Sequence, residues 1–399
     1  MTERILRPKG TQTLLLDSHP TGCARTVHSM IALTRQPTAA ARQPIVLVIG
    51  SSAGYGLAAT IVSLFTHRAS CVGLGYERAA TDRRTASAGW YRTRALADAA
   101  RAAGLRFEPV NGDGFHPDTK QAVLDRLRAD FGPVDYLVYS VAAPRRTDPA
   151  SGATYQSVIK PIGHQHHTKT LAFDDDGTPT VREMTVAAAS DDEIAATVKV
   201  MGGQDWAAWV DALRAHELLA PGFKTVALSY IGSDVTAAIY RNGTIGRAKD
   251  HLEATAARLD RELAACGGAL ISVNGAAVTQ AATAIPGIGL YASLLRAVVG
   301  DAMQPPVRQA IRLWDHLLGA TTAGSAELDP DGRLRLDDWE LDDSVQAQLR
   351  DQWKQIDTAN VAALADTGWF RAELRRLYGF DVPGVDYQAS VEVDLPWPQ

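Results

Sequence analysis

The chain has 399 residues, of which 46% are hydrophobic and 21% charged, with a formal net charge of −5 at pH 7. This composition excludes a disordered chain and a coiled coil, and the length allows one large or two smaller domains. No basic block could neutralise a nucleic-acid backbone, and no apolar run reaches the ~20 residues of a membrane helix. We therefore expect a soluble protein with no nucleic-acid partner and no membrane span.

The N-terminus and the cysteines indicate the cellular compartment of the protein. The apolar stretch at 14–16 that follows the first basic residues is too short for a signal-peptide core. Cys23, Cys71 and Cys266 lie far apart, so they form neither a disulfide framework nor a local thiolate zinc site. The sequence therefore predicts a cytoplasmic location.

From about residue 44, short β-branched runs alternate with helical patterns, which is typical of βαβ units with a parallel sheet buried on both faces. The first unit comprises a strand at 45–49, a helix at 57–67 and a second strand at 71–76, followed by Glu77. This pattern predicts an α/β fold with a Rossmann-like, doubly wound parallel sheet. Further strands are predicted at 106–110, 136–140, 225–230 and 270–273.

Two regions depart from the alternation. The stretch at 147–190 is rich in Thr, Gly, Pro and Asp and is interpreted as an insertion, with a hairpin over the sheet edge. The residues after about 300 alternate charged helical segments with turns and are interpreted as a helical cap. We expect one elaborated Rossmann-type domain over 1–399, with its core at about 44–300 and the cap at about 301–399.

A glycine-rich turn occupies 50–56, between the first predicted strand and helix. Glycine permits a tight turn and lets the backbone approach a pyrophosphate, whose charge the helix N-terminus then meets. Glu77, at the end of the next strand, is suited to accept hydrogen bonds from the adenosine ribose. The alternative is a set of close-packing glycines beside a surface acid. An acid here disfavours a 2′-phosphate, which indicates NADH rather than NADPH, although Arg78 lies beside it.

Reductases built on such a sheet often pair a tyrosine hydroxyl with a lysine. No tyrosine in this chain has a lysine four or seven positions later, but eight residues separate Tyr240 from Lys249. The Asn242–Gly243 break would let Tyr240 precede a helix at 244–263, capped by Thr244, from which Lys249 projects. The alternative is a buried tyrosine and a solvated lysine.

Eight ordered motifs resemble the FabV-type trans-2-enoyl-CoA/enoyl-acyl-carrier-protein reductases over almost the whole chain. The Tyr-x8-Lys pair within IYRNGTIGRAK at 239–249 is the most specific of them, and the glycine turn IGSSAGYGLA at 49–58 is another. The others are HPTGC at 19–23, YSVAAPRRT at 139–147, MGGQDW at 201–206, SYIG at 229–232, VTQ at 278–280 with IP at 285–286, and GVDY at 384–387.

The resemblance implies a monomeric member of the short-chain dehydrogenase/reductase superfamily. Such an enzyme uses NADH to reduce 2-enoyl thioesters carried by CoA or by acyl carrier protein. It implies that Tyr240 and Lys249 are catalytic and that Tyr230 contacts the substrate. The implied cofactor-binding residues are Gly50, Ser51, Ser52, Ala53, Gly54, Tyr55, Tyr76, Glu77, Asp113, Gly114, Val141, Ala142, Lys249, Val278, Thr279 and Gln280.

In the predicted reaction, hydride reaches the β-carbon and Tyr240 stabilises and protonates the resulting enolate, while Lys249 holds the ribose and supports the phenol. Two alternatives stay open. One is a reductase of the same fold that acts on another activated alkene or ketone, and the other is a non-catalytic NADH-binding protein.

The chain departs from the family pattern at a few positions. Gly75 and Tyr76 replace a bulky pair, Asn274 replaces a usual lysine, and Gly287 and Gly289 follow the Ile-Pro motif. The glycines could reshape the acyl tunnel, so acyl chain length and carrier stay open.

Other features receive a structural interpretation. His164, His166 and His167 lack acidic partners at ligand spacing, so no metal site is predicted. The run of four aspartates at 337–343 is interpreted as a solvated helix start. Arg145 and Arg146 fit either a carrier's phosphates or a loop cap, and the tryptophans Trp90, Trp206 and Trp339 are interpreted as packing residues.

Overall fold

The computed structural model describes residues 3–10, 14–36, 42–319 and 326–398. Residues 1–2 and 399, at the ends of the predicted domain, lie outside the described residues. Residues 320–325 of the predicted cap lie outside them as well. In chain order the elements are β1 (Glu3–Arg4), α1 (Pro20–Ala32), β2 (Ile45–Ile49), α2 (Gly54–Phe65), β3 (Ser70–Gly75), α3 (Ala88–Ala102), β4 (Phe107–Asn111), α4 (Pro117–Arg126), β5 (Val134–Tyr139), β6 (Arg145–Thr147), β7 (Thr154–Gln156), β8 (His166–Phe173), β9 (Pro179–Val186), α5 (Asp191–Met201), α6 (Gln204–Ala215), β10 (Leu219–Ser229), α7 (Thr244–Leu263), β11 (Gly267–Val273), α8 (Ile288–Val299), α9 (Pro306–Leu317), β12 (Leu334–Arg335), α10 (Asp343–Gln355), α11 (Val361–Leu364), α12 (Thr367–Arg376) and β13 (Val391–Glu392).

Seven parallel strands form the central sheet, in the order β4-β3-β2-β5-β10-β11-β12. The chain leaves β2 toward one edge, through β3 and β4, and returns to β5 on the other side of β2. This is the doubly wound topology predicted from the sequence, and the fold prediction is confirmed. Ligands of such sheets bind outside the carboxyl ends of the strands at this switch point.

The apolar run of β2 is buried on both faces because helices cover both sides of the sheet. Leu47 and Ile49 face a core that includes Trp206 and Trp209 of α6. Val46 and Val48 face the opposite core, built with residues of α1, α2, α3 and α9. The side chains of this one strand therefore alternate between the two cores, as a parallel sheet covered on both faces requires.

The predicted insertion contains the antiparallel hairpin β8–β9. Its anchor is Lys169, whose Nζ donates hydrogen bonds to the backbone carbonyls of Trp353 at 3.0 Å and Ile356 at 2.8 Å. The hairpin is therefore fastened to the end of α10. The residues after 300 also contribute to the central layers, because β12 extends the sheet beside β11 and α9 packs on α2.

The structure corrects two local interpretations. Gly243, not Thr244, is the N-cap of α7, and the Thr244 hydroxyl instead bonds the 158–160 backbone. The aspartate run is only partly solvated: Asp337 is 1% exposed and pairs with Arg335, whereas Asp342 caps α10 as predicted. No helix among the described residues is long and apolar enough to cross a membrane.

Candidate active site

The glycine turn joins the end of β2 to the start of α2. Gly50 has φ +90°, and a Cβ there would lie 2.0 Å from the carbonyl oxygen of Ser140, so only glycine fits without a shift of the backbone. No acidic side chain lies in the first turn of α2, and no side chain caps it. The backbone N–H groups at this helix start therefore remain available to an anion.

Glu77 lies beside this turn, two residues after the end of β3. Its carboxylate accepts hydrogen bonds from the hydroxyl of Ser52, at 2.6 Å, and from that of Ser87. Its backbone exchanges two hydrogen bonds with the Asn111 side chain, at 2.8 and 3.0 Å. The predicted acid therefore adjoins the glycine turn. Ser87 and Asn111 were missed because their spacing from Glu77 follows no motif.

The other implied cofactor residues follow the carboxyl ends of further strands. Asp113 and Gly114 follow β4, Val141 and Ala142 follow β5, and 278–280 follows β11. All of these strands are parallel, so their carboxyl ends open on one side of the sheet.

The loop after β11 closes on the glycine turn. The Tyr55 hydroxyl donates to the carbonyl oxygen of Gly275 at 2.5 Å. A Cβ at Gly54 would lie 3.4 Å from the Thr279 methyl group. Three of the implied positions, Tyr76, Ala142 and Gln280, are exposed, and Tyr76 is 73% exposed.

Tyr240 lies on the turn before α7. Its carbonyl accepts hydrogen bonds from the backbone N–H groups of Gly243, at 3.2 Å, and Gly246, at 3.0 Å, which fixes it to the start of the helix. The side chain is 8% exposed, and its hydroxyl has no hydrogen-bond partner among the described residues. Burial raises the pKa of Tyr240, so the hydroxyl keeps its proton at neutral pH and can act as a donor.

Lys249 projects from the second turn of α7 and is 7% exposed. In the described part of the chain its ammonium has neither an ion pair nor a hydrogen bond. Burial lowers the pKa of Lys249 to about 8; nearby Glu253 opposes this shift and Arg241 adds to it. A buried, unpartnered cation is costly, so this position is suited to a ligand that supplies acceptors. Lys249 does not contribute to the pKa shift of Tyr240, for which burial is the cause.

Tyr230 lies directly after β10, and its ring centroid is 5.3 Å from that of Tyr240. Its hydroxyl donates to Oε1 of Glu340 at 2.8 Å. The structure therefore brings the two predicted tyrosines together and adds Glu340. No motif or spacing marks Glu340 in the sequence, where it lies inside the aspartate run.

Buried polar atoms without partners test whether a dinucleotide fits. Ser51 Oγ and Asn274 Oδ1 are buried and unpartnered, and both lie at the carboxyl edge of the sheet. Together with the Lys249 ammonium and the open start of α2, they offer donors and acceptors suited to phosphate, ribose and carboxamide groups. These residues fit a nicotinamide dinucleotide.

The doubly wound sheet, the glycine turn and the adjoining Glu77 define a protein of the dinucleotide-binding class. Three family models match the chain: the NAD(P)H binding domain of trans-2-enoyl-CoA reductase at 5–82, the trans-2-enoyl-CoA reductase catalytic region at 84–318, and the enoyl reductase FAD binding domain at 328–391. The chain belongs to the trans-2-enoyl-CoA reductase family, as its motifs predicted.

Relatives of known name agree with this assignment. The chain is 56% identical to an enoyl-[acyl-carrier-protein] reductase [NADH] of Streptomyces avermitilis, over 99% of this chain and 100% of the relative. Among solved structures, a Clostridium trans-2-enoyl-CoA reductase in complex with NADH superposes with a TM-score of 0.92 at 35% identity, with 98% of each chain covered. The Treponema denticola trans-2-enoyl-CoA reductase in complex with NAD gives 0.90 at 35% identity, over 98% of this chain and 100% of that one.

The third family model describes an FAD binding domain, but the residues at 328–391 do not fit that group. This segment contributes the two-residue strand β12 rather than a glycine turn between a strand and a helix. Its cations are engaged, so none is free for a pyrophosphate, and we derive no step through a flavin. The pairs are Arg333–Asp329, Arg335–Asp337, Arg350–Asp234, Lys354–Asp351, Arg375–Asp381 and Arg376–Glu373, and Arg371 lies over the ring of Phe173.

Proposed function

We propose that this protein reduces trans-2-enoyl thioesters to saturated acyl thioesters with NADH in fatty acid metabolism. The observation that carries the proposal is the pair Tyr240 and Lys249, both buried and both without a partner among the described residues, beside the carboxyl ends of a Rossmann sheet. The Tyr240 hydroxyl and Lys249 Nζ are not among the fully buried unpartnered atoms of the described residues, so each polar tip is accessible although the rest of its side chain is buried, as a ligand site requires.

NADH, when bound, supplies the hydride that the β-carbon of the enoyl thioester accepts. Tyr240 donates a hydrogen bond to the thioester oxygen, where negative charge develops, and is the proposed proton donor. One positioned donor of this kind commonly contributes about 10²–10⁴-fold in rate. Tyr230, against the Tyr240 ring, places the substrate, and Lys249 holds the ribose hydroxyls of the cofactor.

NADH is preferred over NADPH in this proposal because of Glu77. Its carboxylate is oriented by Ser52 and Ser87 toward the site of the adenosine ribose, where an added phosphate would meet a negative charge.

The proposal also covers carrier, oligomeric state and compartment. We assign the substrate class as an acyl thioester of either CoA or acyl carrier protein. The resemblance to the family implies a monomer, and the proposal includes that state. Free Cys23, Cys71 and the exposed Cys266 suit a reducing cytoplasm.

The test is NADH oxidation by the purified protein with trans-2-butenoyl-CoA, with the saturated thioester identified by mass. We expect turnover that requires the enoyl thioester and is much slower with NADPH. A ketone or an alkene without a thioester, offered in parallel, separates the alternative reductases. Binding of NADH without turnover of any acceptor would contradict the proposal.

A further inference from the structure

Glu340 is a fully buried carboxylate, 0% exposed, on the loop between β12 and α10. Its Oε1 accepts hydrogen bonds from the hydroxyls of Tyr230, at 2.8 Å, and Tyr291, at 2.7 Å. Its Oε2 accepts the backbone N–H of Ala276 at 2.5 Å. Three donors from three separate elements therefore converge on one side chain.

A carboxylate at this position makes both tyrosines hydrogen-bond donors. An amide of the same size could still accept from the Ala276 N–H, but its NH2 group would then face the tyrosine oxygens and turn them into acceptors. In the described part of the chain no lysine or arginine contacts Glu340, so it is buried without a compensating cation. Such a group is costly, and an apolar residue would serve packing better.

Two of the three donors are not predicted site residues. Tyr291, on α8, is 0% exposed, and Ala276 supplies only its backbone. Gln346 adds a further support, because its side-chain amide donates to the carbonyl oxygen of Glu340 at 2.7 Å. These contacts fix the carboxylate. The remaining donor, Tyr230, is the one that contacts the Tyr240 ring.

We propose that Glu340 is a positioning residue for the reduction, which holds the Tyr230 hydroxyl and thereby sets the placement of the substrate against Tyr240. This inference rests on the proposed function. While Tyr230 donates its only proton to Glu340, its oxygen can offer the substrate pocket only an acceptor. The ionised carboxylate therefore fixes both the position and the hydrogen-bonding direction of Tyr230.

The titratable groups that face Glu340 are Tyr55 from α2, Tyr230 after β10, Tyr291 from α8 and Asp337 on its own loop. Burial raises the pKa of Glu340 to about 7, and the hydrogen bonds from the tyrosines and Ala276 oppose this shift. The three tyrosines stay protonated because their own pKa values are raised. As pH falls through about 7, protonation of Glu340 removes an acceptor site and activity should decline.

A double-mutant cycle tests the inference. In Glu340→Gln we expect kcat with NADH and trans-2-butenoyl-CoA to fall about 10- to 100-fold, the range expected when a reacting geometry is misplaced by about 1 Å. The acidic limb of the wild-type pH profile near pH 7 should disappear. In a Tyr230→Phe background, adding Glu340→Gln should lower kcat by less than about threefold, because the hydroxyl through which Glu340 acts is already absent.

Tyr291→Phe is the matched control, since it removes a hydrogen bond to the same oxygen, while among the described residues the ring contact with Tyr240 is made by Tyr230. It should keep most of the activity, and Glu340→Gln should show its full loss in that background. If Glu340→Gln does not fold, Glu340→Asp, which retains both acceptors one methylene away, carries the same cycle. Equal losses with and without the Tyr230 hydroxyl, or an unchanged pH profile, would overturn the inference. An inactive wild type would instead overturn the proposed function and this inference together.

Discussion

The hydroxyl of Ser52 donates a 2.6 Å hydrogen bond to the carboxylate of Glu77, and this contact joins the glycine turn to the end of the neighbouring strand. A second serine, Ser87, holds the other carboxylate oxygen. The acid that we propose to bind the ribose is thus oriented by the protein itself, which lowers the entropic cost of binding an ordered cofactor.

Cofactor preference should depend on Glu77. We expect Glu77→Ser to narrow the ratio of kcat/KM for NADH over NADPH by at least about tenfold, because a charge that opposes the 2′-phosphate is lost. The measurement is the kinetics of both cofactors at one enoyl thioester concentration. A wild-type preference for NADPH would show that Glu77 does not face the ribose.

Gly89 offers a way to displace Glu77 without altering it. A Cβ at this position, in the first turn of α3, would lie 2.0 Å from Glu77 Oε1. The carboxylate is the end of a flexible side chain and can yield, so Gly89→Ala should weaken NADH binding while the melting temperature changes by only a few degrees.

Gly368 provides the matched control, because it occupies the same helical position in α12 and has only one atom near its Cβ position, at 3.9 Å. Gly368→Ala should leave NADH binding unchanged and stabilise the fold slightly, since alanine is the better helix former. Equal NADH affinities in the two variants, measured by calorimetry, would argue against the proposed position of Glu77.

Lys249 should destabilise the protein when no cofactor is bound. Burial lowers its pKa to about 8 from the usual 10.5, so the unfolded chain binds the proton more tightly over that interval. Burial of the charge therefore lowers the free energy of unfolding by its full amount below pH 8, and this loss diminishes as pH rises toward 10.5. Lys249→Met should therefore melt above the wild type at pH 7, with the difference shrinking as pH rises. Equal melting temperatures at pH 7 would contradict a buried, unpartnered ammonium.

The same lysine should be needed for NADH. Lys249→Met should weaken NADH binding and turnover together, and wild-type affinity should fall as pH rises through about 8, where the ammonium loses its proton. Lys249→Arg keeps the charge on a planar group that need not fit the same pocket. Its losses of NADH affinity and turnover should therefore differ in size from those of Lys249→Met. An unchanged NADH dissociation constant in Lys249→Met would remove this residue from the cofactor site.

The parts of the site that the sequence predicted are those set by local chemistry. The glycine turn needs a residue that tolerates φ +90° at Gly50, and β2 needs an apolar run buried on both faces, so each leaves a pattern in the chain. The Asn242–Gly243 break likewise separates Tyr240 from α7 as the spacing predicts.

The parts that the sequence missed depend on residues far apart in the chain. Glu340 reaches Tyr230, 110 positions away, only because β12 joins the sheet beside β11 and carries the following loop across to the end of β10. No local pattern marks a glutamate within an aspartate run as buried. Thr244 was misassigned as a cap because its hydroxyl is used by the distant 158–160 backbone instead.

The most direct test of the account is Tyr240→Phe, assayed for turnover and for NADH binding on the same preparation. The account predicts a fall in kcat of about 10²–10⁴-fold, with the NADH dissociation constant within threefold of wild type, because only the hydroxyl that meets the developing charge is lost. Turnover within threefold of the wild type would contradict the account and remove Tyr240 as the proton donor.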